Sequence, residues 1–309
     1  MNNRDKFREL NNPLGVHPIN WSNDDFKDLG ADTSVEKCFQ QMHEAGFVGT
    51  EVGNKYPKEP HKLRALMKPY RLRLIGGWHS TLLAYNAYPD EETRLLEYLD
   101  FLKAMDASVV VLAECSNAIH GDESKSLVFE DEAIGLSEDQ WQRVFQGLDK
   151  LSELAANSGI PAVYHHHMGT VVQSEESLDA LMANTKTLKL LFDTGHLTFA
   201  GIDPAQVLEK YIDRISHVHL KNVRPSIVQR ARSDSLSFGQ AVRAGVFTVP
   251  GDGMIDYDDI MKRLFDTGYE GWVIIEAEQD PAKANPLEYA KMGYNKLHQA
   301  LHDVGYSLA

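Results

Sequence analysis

Cysteine is nearly absent: Cys38 and Cys115 are the only two in 309 residues. Two thiols make no disulfide framework, so the cytoplasm is the expected compartment. No apolar run approaches the roughly 20 residues that cross a bilayer, and no membrane partner is expected. The opening Met1–Arg8 is polar and lacks the apolar core of a secretory signal. Basic residues are in deficit, with 31 Lys and Arg against 45 Asp and Glu and a formal net charge of −14. Nucleic-acid backbones and anionic membranes both require a basic face, so the balance argues against them and suits a neutral or cationic small molecule. Linkers, low-complexity tracts and charge blocks are also missing, which points to one domain over residues 1–309. With 43% hydrophobic and 25% charged residues, the composition is that of an ordinary globular chain.

What is present is an alternation. Short apolar or β-branched runs at Leu14–Ile19, Val48–Val52, Leu72–Trp78, Ser108–Ala113, Ile160–His165, Leu188–Asp193, Ile215–Leu220 and Trp272–Glu276 read as strands. Between them lie amphipathic segments. Thr33–Ala45 puts Val35, Phe39 and Met42 on one face, and Ser137–Asn157 has Ser137 as a cap and stops at Gly159-Ile160-Pro161. Eight strands with crossovers predict a closed α/β (β/α)8 TIM barrel, with an open doubly wound sheet as the alternative. Residues 224–253, long and polar, break the rhythm and read as a functional lid loop near the active-site mouth.

Candidate ligands stand where these runs end. Six of the 13 histidines lie between His165 and His219, and imidazoles with carboxylates are what a borderline divalent cation selects. In the His165-His166-His167 run, His165 and His167 share a face; His165 is the favoured ligand. Asp193 closes an apolar run three residues before His196, which suits a ligand with a nearby proton carrier. His217, His219 and Lys221 share a face that should be interior. His219 is the better ligand of the pair, and His217 reads as interior filling. Glu276 and Glu278 share another face, one as ligand and the other as a rim residue. A cation on two imidazoles and two carboxylates keeps positions open for a carbonyl and a hydroxyl, which serves isomerases, epimerases and dehydratases alike. Manganese, cobalt, magnesium and zinc all accept such a set.

Asp193, the His-Leu-Lys containing His219, and Gly271-Trp272 leading to Glu276 resemble the xylose-isomerase-like barrel superfamily. Longer strings resemble the inosose dehydratase family within it: Gly15-Val16 with Pro18-Ile19 and Trp21, Gly49-Thr50-Glu51-Val52-Gly53, Tyr164 through Thr170, Asp193-Thr194-Gly195-His196, Gly245 through Gly253, and Glu276 through Pro281. This resemblance spans nearly the whole chain. It implies a divalent metal, Mn²⁺ or Co²⁺ before Mg²⁺ or Zn²⁺, on His165, Asp193, His219 and Glu276. It further implies a polyol ketone as substrate, loss of water as the reaction in myo-inositol catabolism, and a homo-oligomer as a candidate state. Glu276, or His196 or Lys221 beside it, would remove the α-proton, and a protonated histidine or lysine would serve the departing hydroxyl. Glu51, His79 and Glu114, at the ends of the second to fourth strands, would hydrogen-bond the ring hydroxyls, with His167 a further substrate contact. Where isomerases and epimerases of the superfamily carry a first glutamate, this chain carries the histidine run. Losing one of two opposed bases disfavours epimerisation and leaves dehydration feasible. A sugar isomerase or epimerase on the same barrel is the runner-up. An apurinic-site type of endonuclease fits the charge poorly, and a non-catalytic sugar-binding barrel would hold metal without turnover.

Overall fold

A computed structural model describes residues 12–127, 129, 135–269 and 271–306. The expectation for Met1–Arg8 falls outside them. Nine parallel strands form the principal sheet: β1 Leu14–Val16, β2 Gly49–Thr50, β3 Arg73–Leu74, β4 Trp78–Thr81, β5 Val110–Glu114, β6 Ala162–His165, β7 Lys189–Asp193, β8 Ile215–Leu220 and, after a short antiparallel pair, β11 Val273–Ile275. The ladder runs β3-β2-β1-β11-β8-β7-β6-β5-β4. Its two ends, β3 and β4, are consecutive pieces of one segment. The Ile75 amide donates to the Thr50 carbonyl on the β2 side, and the Val111 amide donates to the Gly77 carbonyl on the β5 side. The segment therefore closes the sheet into a barrel with eight strand positions.

The third strand departs from its expected span. It bends at Gly76-Gly77 and resumes as β4 through Thr81. An added Cβ would lie 2.6 Å from the Val109 carbonyl oxygen at Gly76 and 2.1 Å from the Tyr98 hydroxyl at Gly77. Only glycine permits this approach, and the bend resets which side chains face inward.

The barrel interior is layered. Ile75, Val111, Val163, Leu191 and Ile274 fill its lower part, and His165, Asp193 and Glu276, two positions past Val163, Leu191 and Ile274, belong to the polar mouth. The other parity packs against helices: Val110, Leu112, Tyr164, Phe192, Val218, Leu220 and Val273 belong to the outer core. Helix α1, Val35–Ala45, starts at the Ser34 cap and ends at Gly46, whose φ of 104° suits glycine. Helix α2, Glu138–Asn157, opens on a capping box between Ser137 and Gln140. Among the described residues no helix is long and apolar enough to cross a membrane.

The segment at 224–253 is not the irregular loop expected from its polarity. It holds helices Pro225–Ser233 and Phe238–Ala244, the latter with a Ser237–Gln240 capping box. Its ends are tied by the antiparallel pair of β9 Asn222–Val223 and β10 Phe247–Thr248. The polar composition is one face only; Phe238, Ala241, Val242 and Phe247 pack with Phe26, Met168 and Phe199 over the barrel mouth. Arg243 secures that cover by reaching both Asp28 and Glu123.

Candidate metal centre and cavity

Register assembles the centre. Asp193, the last residue of β7, lies opposite His219 on β8, and Ile274 of β11 lies on the other side of His219. Glu276, two residues past Ile274 on the same face, therefore comes beside His219. His165 ends β6. One ligand atom from each of His165, Asp193, His219 and Glu276 falls within 4.8 Å of the others, and all four residues are buried. Of the three consecutive histidines, His165 is the one that joins this quartet. His166 turns the other way and burial holds its imidazole down to about 3.

The donor set fits a cation. His165 Nδ1 donates to the His166 carbonyl at 2.6 Å, which leaves the Nε2 lone pair on the quartet side, 3.6 Å from Asp193 Oδ2. Asp193 Oδ1 accepts from the Gly195 and His196 amides and caps the helix Thr194–Ala200. Among the described residues its Oδ2 has no hydrogen-bond partner, and neither ring nitrogen of His219 completes a hydrogen bond. His219 Nδ1 nonetheless sits 2.6 Å from Glu276 Oε2, and Nε2 sits 3.0 Å from Glu51 Oε2. These are close approaches without donor–acceptor alignment, as expected of groups that converge on a point between them. Charge agrees. Burial disfavours a protonated His219, but Glu51 and Glu276 outweigh it and raise the imidazole to about 10. The carboxylates thus call for positive charge where an ion bound by the quartet would supply it.

Behind the quartet lies Lys221, wholly buried. Its Nζ lies 2.5 Å from Glu276 Oε1, 2.8 Å from Glu278 Oε2 and 2.9 Å from His196 Nε2. Burial works against its charge, yet Glu276, Glu278 and Asp193 hold its pKa above the ordinary value. Burial also opposes ionisation of Asp193 and Glu276, and Lys221 chiefly reverses this, so both sit below the usual carboxylate range. Glu278 keeps the opposite balance: burial pushes it up to about 7 despite Lys221.

A cavity of about 580 Å³ opens onto the centre, lined by His165, His167, His219, Glu276, Glu278 and Glu51 at its polar end. Trp78, Tyr98 and Phe101 supply an aromatic wall, and Asp24, Lys58 and His120 border the outer part. His167 Nδ1 donates to the Met168 carbonyl at 2.7 Å, which leaves Nε2 free.

Several expected roles change. His196 and Lys221 do not line the cavity; both are fully buried, Lys221 against Glu276 and Glu278 and His196 against Lys221. Both Glu276 oxygens face neighbours, Lys221 and His219, which favours a ligand over a free base. Glu278, expected at the rim, is buried and makes no hydrogen bond through Oε1 among the described residues. His79 faces the helix layer, stacks on Tyr98 at 5.7 Å and is lowered by burial to about 4. Glu114 also points outward, its carboxylate accepting from Thr81 Oγ1 at 2.6 Å and from the Leu83 and Ser116 amides. Neither lines the cavity. Glu51 reaches the cavity, but both its oxygens face histidines. Parity alone marked Glu278, which shares its face with Glu276. Trp78 was masked by the glycine bend.

A profile of the xylose isomerase-like TIM barrel family matches residues 39–306. The chain is 46% identical over 295 residues to the inosose dehydratase of Clostridium botulinum strain Alaska E43, covering 95% of this chain and 97% of that one. Against the inosose dehydratase of Geobacillus thermodenitrificans it is 45% identical, covering 92% and 95%. Among solved structures, the probable 3-DHS dehydratase AsbF of Bacillus anthracis superposes with a TM-score of 0.67 at 16% identity, over 92% of this chain and 98% of that one. The IOLI protein with a bound zinc atom gives 0.65 at 13% identity, over 94% and 98%. These two share the fold. The protein belongs to the xylose isomerase-like TIM barrel family and, within it, to the inosose dehydratases.

Proposed function

We propose that this protein is a metal-dependent carbon–oxygen lyase that removes water from scyllo-inosose (2-keto-myo-inositol), giving a trihydroxycyclohexane-1,2-dione. The observation that carries the reading is the buried quartet of His165, Asp193, His219 and Glu276 at the floor of a cavity that also presents Glu278 and His167. Kinship with inosose dehydratases at 45–46% identity supports the substrate. A divalent cation on the quartet would polarise the ketone and offset the negative charge that develops on its oxygen. Mn²⁺ or Co²⁺ is the proposed ion, and the cytoplasmic myo-inositol catabolic route the proposed setting.

The chain's own residues handle the proton. Elimination breaks the C–H bond next to the ketone and the C–O bond one carbon further on, and the departing hydroxyl needs a proton to leave as water. Two groups on the cavity wall have a free atom for this: Glu278 through Oε1 and His167 through Nε2. One accepts the α-proton and the other protonates the leaving oxygen. Lys221 holds Glu276 and Glu278 in place from behind, at 2.5 and 2.8 Å. The aromatic cover formed by Phe238 and Phe247 seals His196 and Lys221 from water. The apolar face of the substrate ring would rest on Trp78. The test is incubation of metal-reconstituted protein with scyllo-inosose, following the dione by ultraviolet absorbance. Epimerised or isomerised sugar as the main product in deuterated buffer, with no dione, would overturn the reading.

A further inference from the structure

Glu51 lies at the floor of the cavity with imidazoles around its carboxylate. Oε1 accepts from His217 Nε2 at 2.7 Å, while Oε2 stands 3.0 Å from His219 Nε2 and 3.8 Å from His17 Nε2. A contact fixes the His17 tautomer, and an ion on the quartet would fix that of His219. His17 Nδ1 accepts from the Ile19 amide at 3.1 Å, so the proton of the neutral ring sits on Nε2, which faces Glu51. His219 Nδ1 is the nitrogen on the quartet side, 2.6 Å from Glu276 Oε2 and 3.8 Å from Asp193 Oδ2. A lone pair available there requires the ring proton on Nε2, which again faces Glu51. His217 donates to the Glu51 carboxylate, His219 turns Nε2 towards it at 3.0 Å without hydrogen-bond alignment, His17 stands further off, and Glu51, His217 and His219 are each only 2% exposed.

We propose that Glu51 is a positioning residue for metal binding. Its negative charge, 3.0 Å from His219 Nε2, favours the ring proton on that nitrogen and so commits Nδ1 to the ion, while His217 holds the carboxylate from its other oxygen. The proposal rests on the metal reading of the quartet. A metal-bound histidine whose far nitrogen donates to a carboxylate is fixed in orientation and made more basic, and losing that partner costs ten- to a hundred-fold in metal affinity. Glu51, His217 and His219 also form a compact trio whose ligand atoms lie within 4.8 Å of one another. The hydrogen bond between Glu51 and His217 favours a support over a second ion site, and stoichiometry distinguishes them.

The test is a competition titration of metal-free protein with Co²⁺ and Zn²⁺ against a chromophoric chelator, read together with the Co²⁺ d–d spectrum. The wild type should bind one ion per chain. Glu51→Gln should bind it ten- to a hundred-fold more weakly and with a changed spectrum. Glu114→Gln, an equally buried carboxylate elsewhere, should leave both unaltered. If Glu51→Gln does not fold, His217→Gln should show a smaller weakening in the same direction. Unchanged affinity and spectrum in a folded variant at Glu51 or His217 would overturn the proposal, as would equal weakening by Glu114→Gln. Two ions in the wild type and one in Glu51→Gln would make Glu51 a ligand and also overturn it. A wild type that binds neither ion would remove the metal reading first, and this proposal with it.

Discussion

On the β4–β5 side of the barrel, Glu114 is buried with three hydrogen bonds to its carboxylate, and His79 lies against Tyr98 in the helix layer. On the β7–β8–β11 side, Asp193 Oδ2 and both nitrogens of His219 are equally buried with no hydrogen bond among the described residues. Both sides place ionisable groups at strand ends. The first side satisfies its carboxylate internally and gains rigidity, because a buried polar group is costly only when unpaired, while His79 keeps Nε2 unpaired on a ring whose charge burial disfavours. The second leaves its groups converging on one point, which costs stability unless an ion completes them. Pairing within the protein separates a structural carboxylate from one kept for chemistry.

The contrast breaks first, if at all, at the quartet. Asp193→Asn keeps an acceptor for the helix cap, and His219→Ala removes one imidazole; each should lose stoichiometric metal by elemental analysis while the circular dichroism spectrum is kept. Dione formation should fall on the order of 10³-fold, about 4 kcal/mol at 1.36 kcal/mol per factor of ten. Retention of full metal and full rate by either variant would remove that residue from the centre.

Lys221→Met should cost about 3–5 kcal/mol in chelator-treated protein, since it strips the partner from buried Glu276 and Glu278. Urea melts with and without metal measure it, and the loss should shrink when an ion is bound. Equal losses in both states would mean that ion and lysine do not share the same carboxylates.

A third effect belongs to the β4–β5 side. Burial lowers His79 to about 4 from 6.5. The unfolded chain therefore binds the proton more readily, so this stabilisation is complete above about pH 6.5 and is lost as pH falls towards 4. The full swing is about 3 kcal/mol, and His79→Gln should flatten the stability profile over that window with dione formation at neutral pH intact. Loss of turnover in that variant would return His79 to the site. The smallest effect is Ser137→Ala, which removes the capping box of helix Glu138–Asn157 and should lower stability by about 1 kcal/mol without altering metal affinity.

Strand parity made much of the centre legible in the sequence. Asp193, His219 and Glu276 follow apolar residues that alternate inward and outward on β7, β8 and β11, so their facing could be read from the pattern. The same rule, applied to β5, would have turned Glu114 outward with Val110 and Leu112, since Val111 is the interior residue. His79 was harder, because the bend at Gly76-Gly77 restarts the alternation and no local pattern announces it. The engagement of Glu51 with His217, 166 residues away, is a product of barrel closure and has no local signature. The helices within 224–253 were hidden by their charged outer faces, although Ser237 and Gln240 form the kind of cap that marks a helix start.

Asp193 uses its two oxygens separately, Oδ1 on the amides that start the following helix and Oδ2 towards His165 and His219 of the quartet, where an ion would sit. This narrows what evolution can do at the position. Asparagine preserves the helix start and forfeits the anionic ligand; glutamate preserves the charge but its longer side chain misplaces the cap. No single substitution keeps both, so a lineage that abandoned metal chemistry could drift here through asparagine, whereas one that retained it has no neutral path away from aspartate.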